Sequence, residues 1–121
     1  MGKTEVERFL TEYDCPVGYS GFYVLTEAVL YAAEHLGKIK GNMKDVYIEV
    51  GNKLNMGRSN IERNMRTLLS VWSETEKFKL LFDTTPTNAK LIITFAHKFI
   101  MGRKQIAKKP HRVSIYDVIF S

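Results

Sequence analysis

Cysteine occurs once in this chain of 121 residues, at Cys15, so no disulfide can close within it. That excludes a disulfide-stapled scaffold and favours a reducing compartment. Cys15 precedes Pro16 in a loop-like stretch, where a half-buried small apolar side chain is the ordinary role. Long apolar runs are also missing: none approaches the roughly 18 residues that a membrane span needs. The opening "MGKTEVERFL" has no apolar signal-peptide core. Val6 stands where a myristoylation signal would carry Ser or Thr. The expectation is a cytoplasmic protein with no membrane partner. Catalytic signatures are scarce as well. His35, His97 and His111 lie on different segments, and no pair has metal-ligand spacing. There is no Gly-x-Ser-x-Gly and no glycine loop to cradle a phosphate. The chain reads as a non-enzyme, with no metal, cofactor or small-molecule substrate expected.

Acidic residues are outnumbered: 18 Lys and Arg face 13 Asp and Glu, a net charge of +5 with a pI near 9.4. This balance suits a polyanionic partner without specifying one. At 45% hydrophobic the chain can build a real core, and its length fits one domain. Burial at this size approaches about two-thirds of the unfolded surface.

The apolar spacing is helical throughout, with no convincing strand period. Val6, Phe9, Leu10 and Tyr13 give a first helix over Thr4–Tyr13. A second runs from about Gly21 to Leu36, with Gly37 as its terminating glycine. "GKIKGN" reads as a loop. The third spans about Met43 to Leu54, "NMG" turns the chain, and the fourth covers about Asn60 to Glu74. "KFKLLF" suggests a helical turn. In "DTTPTN", Thr85 is a candidate cap with Pro86 at the first helical position of a last helix reaching about Met101. "RVSIYDVIFS" fits a short helix or strand. The expected fold is all-α, a compact bundle of about six helices containing a helix-turn-helix. Residues 1–101 form that domain, and 102–121 a basic C-terminal extension.

The stretch "NKLNMGRSNIERNMRTLLSVW" carries the most information. With Ser59 at the N-cap, Glu62 three residues on completes a capping box. Winding at about 100° per residue gathers Ile61, Met65, Leu68, Leu69 and Trp72 into a buried stripe. Arg63 lands opposite it, flanked by Ser59, Asn60, Arg66, Thr67 and Ser70. Guanidinium, hydroxyl and amide groups can read base edges and phosphates: Arg suits guanine O6 and N7, and Asn suits adenine N6 and N7. A solvated polar face would also look like this. Gly51 adds weight, because a helix-turn-helix needs a small residue where its parts approach closely. Val50, Leu54, Met56 and Ile61 supply the apolar contacts, and Asn55 tolerates the left-handed turn conformation.

With those residues in place, the chain resembles the C-terminal effector domain of the sporulation-initiation response regulator of spore-forming Firmicutes. The likeness runs from about Val6 to Phe99. It covers "YDCPVGYSGFYVLTEAV", is strongest in "VYIEVGNKLNMGRSNIERNMR", and returns in "TPTNAKLI". The resemblance implies a six-helix DNA-binding domain whose fourth helix enters the major groove. It also implies copies bound in tandem or as a homodimer on double-stranded DNA. Ser59, Glu62, Arg63 and Arg66 match the family's recognition-helix Ser, Glu and two Arg. Asn60 departs from a base-contacting Arg, and Thr67 from a His. Arg58 could replace the charge lost at Asn60 but not its direction. The family's receiver domain has no counterpart here, which suggests either an excised domain or a free-standing homologue. Activity of the latter would be set by abundance or partners.

Thr87, Asn88 and Lys90 open the last helix, where free N–H groups and the helix dipole favour phosphate. Asn88 is equally explained as a capping residue. Lys44, Lys53, Lys98, Arg103, Lys104, Lys108, Lys109 and Arg112 are further candidate phosphate contacts, and solvation alone accounts for any one of them. Two functions therefore compete: a sequence-specific DNA-binding transcription regulator, and a protein-interaction module that kept the helix-turn-helix but lost specific readout.

Overall fold

The computed structural model describes residues 2–39 and 43–112, with side chains through residue 102. Among these residues the chain is all-helical, without strands. The elements are α1 Lys3–Glu12, α2 Ser20–Glu34, α3 Leu36–Ile39, α4 Lys44–Leu54, α5 Arg58–Trp72, α6 Glu76–Leu81 and α7 Asn88–Arg112. The addition to the expected set is α3. A single turn is too short for an apolar period to announce it.

At the centre lies α2, which packs against α1, α4, α5 and α7. A helix enclosed on several sides must be apolar on more than one face. Accordingly Phe22, Val24, Leu25, Ala28, Val29, Ala32 and Ala33 are all buried. Its two buried polar side chains are satisfied. Thr26 Oγ1 donates to the Phe22 carbonyl at 2.8 Å, and Glu27 pairs with Lys3 Nζ at 3.4 Å. The helix stops at Glu34, short of the expected Leu36, and His35 rather than Gly37 is the terminal cap. His35 Nδ1 lies 2.8 Å from the Tyr31 carbonyl, and the chain turns at once into α3.

An aromatic cluster closes the other side. Trp72 packs on Phe78 and Phe95, and Phe9 and Tyr13 of the first helix region meet Phe95 edge-on. Trp72 is fully buried, and its Nε1–H donates to the Tyr13 carbonyl at 2.8 Å, so its polar handle is satisfied. The expected turn at "KFKLLF" is α6, capped by Thr75, whose hydroxyl accepts from the Phe78 N–H at 3.3 Å.

The start of α7 corrects the expected cap. Thr87, not Thr85, accepts the Lys90 N–H on its hydroxyl at 3.1 Å, and its carbonyl accepts the Leu91 N–H at 2.9 Å. Pro86 is buried ahead of the helix instead of opening it. A proline drives the residue before it toward extended backbone, which keeps Thr85 out of the helix. Helix α7 is described as far as Arg112, past the helix end expected near Met101. Gly102 weakens helix propensity by about 1 kcal/mol, and strong helix formers around it offset that. Of "RVSIYDVIFS", everything past Arg112 lies outside the described residues.

Candidate nucleic-acid interface

The site is built on α4, the turn after it, and α5. Asn55 ends α4 in the left-handed conformation, with φ 55° and ψ 51°, as its short polar side chain permits. The Met56 N–H then donates to the Gly51 carbonyl at 3.0 Å. A Cβ on Gly51 would stand 2.7 Å from the Met56 carbonyl oxygen. Glycine is needed at this position so that the turn can fold back onto α4. The close approach expected there is made to the turn itself, and Ile61 Cδ1 stands at ordinary contact distance, 3.8 Å.

Helix α5 begins earlier than Ser59. Gly57 is the N-cap, and its carbonyl accepts the Ile61 N–H at 3.0 Å. Ser59 lies within the first turn, so the Ser59–Glu62 capping box does not form. Glycine serves almost as well as serine at an N-cap, and the earlier start includes both Arg58 and Glu62 in the helix, where an i,i+4 pair can meet. Arg58 Nε donates to Glu62 Oε1 at 3.2 Å, and the Arg58 guanidinium lies 4.7 Å from the Tyr47 ring centroid. Nothing in the sequence pattern marks Tyr47 as a platform for Arg58. The two residues meet across the turn, and no helical spacing relates them.

The inner face of α5 is as winding predicts: Ile61, Met65, Leu68, Leu69 and Trp72 are buried. Full burial of each such side chain contributes roughly 1.5–3 kcal/mol. Where α5 crosses α2, Gly21 is the contact point. A Cβ on Gly21 would lie 2.7 Å from Leu68 Cβ and would overlap the Asn64 carbonyl oxygen. The helices therefore touch nearly backbone to backbone.

On the outer face Ser59, Arg63, Arg66, Thr67 and Ser70 are exposed, with half-buried Asn60, Glu62 and Asn64 toward its margins, whereas exposed Arg58 leaves the first turn on the side of Tyr47. Glu62 is the lone acid of α5, and Arg58 neutralises it. Arg63 Nη2 donates to Asn60 Oδ1 at 3.0 Å. Asn64 Nδ2 donates to the same oxygen at 3.4 Å and to Met56 Sδ at 3.7 Å. Thr67 and Ser70 hydroxyls back-bond to the carbonyls of Arg63 and Thr67, at 3.1 and 2.7 Å, leaving oxygen lone pairs outward.

The structure thus brings Ser59, Asn60, Arg63, Arg66 and Thr67 onto one helix face, with Glu62 at its boundary and Arg58 on the side of Tyr47. Thr87, Asn88 and Lys90 stand apart at the start of α7; among the described residues no hydrogen bond or ion pair joins them to α5. Thr87 is committed to its capping role. Of the other candidate cations, Lys53 pairs with Glu49 at 3.8 Å, and Lys44 lines an open cleft of about 620 Å³ with Tyr47, Ile48, Asn52, Asn55 and Arg58. The side chains of Arg103, Lys104, Lys108, Lys109 and Arg112 lie outside the described residues. No group of three or more His, Cys, Asp or Glu among the described residues could hold a metal ion. No described helix is long and apolar enough to cross a membrane. Cys15 is buried, and burial pushes its thiol up to about 12.

No curated protein matches the chain in sequence. A family model does match, over residues 6–99, and its description is sporulation initiation factor Spo0A C terminal. With that match covering most of the 121 residues, the chain belongs to this family of DNA-binding effector domains of sporulation control.

Proposed function

We propose that the domain is a sequence-specific transcription regulator that places the outer face of α5 in the major groove of double-stranded DNA. One observation carries the reading. Arg63, Arg66, Ser59, Thr67 and Ser70 are exposed on a single face whose one acid is already paired with Arg58. Arg63, opposite the buried stripe, presents a fork suited to guanine O6 and N7. Arg66 flanks it as a phosphate contact, Arg58 serves a phosphate from the start of the helix, and the Ser59 and Thr67 hydroxyls serve bases or backbone. Asn60 and Glu62 belong to the same surface. Thr87, Asn88 and Lys90 offer a helix start to a flanking phosphate. Two copies, a homodimer or a tandem pair, occupy a repeated site.

Selection from random-sequence duplexes tests this. The retained pool is expected to enrich a repeated motif, and added salt should weaken its binding steeply. A pool with no motif would overturn the reading and favour a protein-interaction module instead.

A further inference from the structure

We propose that Asn60 is a positioning residue: its side-chain oxygen orients the Arg63 guanidinium, and Asn60 itself reads no adenine. This rests on the DNA-reading role proposed for α5. Asn60 Oδ1 accepts from Arg63 Nη2 at 3.0 Å and from Asn64 Nδ2 at 3.4 Å. An amide oxygen has two lone pairs, and both are engaged. Bidentate recognition of adenine needs that oxygen to accept from N6 while Nδ2 donates to N7. Asn60 can therefore offer only its amide donor, which cannot make the pair.

Arg63 is in the opposite position. Of its five N–H donors the contact uses one, at Nη2. Four remain, enough for a two-point pairing with guanine. The i,i+3 spacing places the two residues side by side on the helix surface. Asn64 then ties the bracket inward. Its amide also donates to Met56 Sδ in the turn, and its backbone carbonyl faces Gly21 at the crossing with α2. The direction of Arg63 is thus referred back to the core through two asparagines. The side chain of Arg66, on the same face, makes no hydrogen bond or ion pair among the described residues. A side chain held in its working direction loses less freedom on binding than one that must be ordered. The difference assigns Arg63 to a fixed contact and Arg66 to an adaptable one.

The test uses the full chain and Asn60→Ala, Asn60→Asp and Arg63→Ala variants. Asn60 is half-buried on the surface, and circular dichroism checks that each variant folds. In the free protein, nitrogen-15 NMR of the guanidinium groups should show slow side-chain rotation for Arg63 but not for Arg66. Asn60→Ala should abolish that slowing, and Asn60→Asp should keep it. On DNA, Arg63→Ala identifies the base pair that Arg63 reads. At that pair alone Asn60→Ala should lower guanine preference about tenfold. The double variant should bind no worse than Arg63→Ala. A loss of preference at a different base pair in Asn60→Ala would show that Asn60 reads a base, and would overturn the proposal. So would rotation of Arg63 unaffected by the substitution. If the wild-type chain enriches no motif yet Arg63 loosens in Asn60→Ala, the DNA-reading role fails and the positioning contact stands.

Discussion

The two faces of α5 are held by different physics. The inner face is fixed by packing, with Ile61, Met65 and Leu68 enclosed and Gly21 letting α2 approach the Asn64 backbone. The outer face is held by hydrogen bonds among exposed or half-buried groups, Arg63 to Asn60 and, at its edge, Arg58 to Glu62. Dry packing admits few alternatives, whereas exposed polar contacts compete with water and are individually weak. One face settles where the helix lies, and the other what chemistry it presents. Changes on either should separate cleanly into stability and recognition.

That separation can be broken in order of expected effect. Gly21→Val should cost the most, about 3 kcal/mol of unfolding free energy, because branched carbons would be driven into a backbone contact. Chemical denaturation measures it, and an unshifted midpoint would dissolve the contrast. Arg63→Ala should do the reverse: about 1–3 kcal/mol lost from specific binding, with stability changed by less than about 0.5 kcal/mol. Titration of a selected duplex beside a melting curve reports both. Thr87→Ala removes the cap of α7 and should cost about 1 kcal/mol of stability while sparing sequence preference. The smallest effect at neutral pH concerns Cys15. Its folded-state thiol is raised from 9.0 to about 12 by burial. The unfolded thiol ionises first, so stability is unaffected below about pH 9 and falls as pH rises from there to about 12. Alkylation of Cys15 at pH 8 should be slow in the native protein and fast in denaturant.

What was legible in the chain follows the range of the forces involved. The inward stripe of α5 needs only the helical angle, and it came out residue for residue. Asn55 in its left-handed turn is a property of one residue's own sterics. The start of α5 was displaced from Ser59 to Gly57, because winding sets the phase of a helix and says little about its ends. The same holds for Thr87 in place of Thr85. Gly21 carried no local sign of its importance, since the atoms it must avoid belong to Asn64 and Leu68, distant in the chain. The Asn60–Arg63 bond could have been read from an i,i+3 spacing. Against the family pattern Asn60 stands only for an absent arginine, a comparison that says nothing of what the amide does for its neighbour.

Gly21 has a mechanical consequence. Side chains between helices act as compliant spacers, since a rotamer change lets one helix shift against another. At this crossing there is no such spacer, and the outer face of α5 sits on what amounts to a hard stop. A groove that is slightly too narrow or too shallow cannot be met by the helix sinking or tilting on its bed. On the proposed reading, the duplex must do the yielding, and stiff and deformable sequences would then be told apart even at base pairs that no side chain touches.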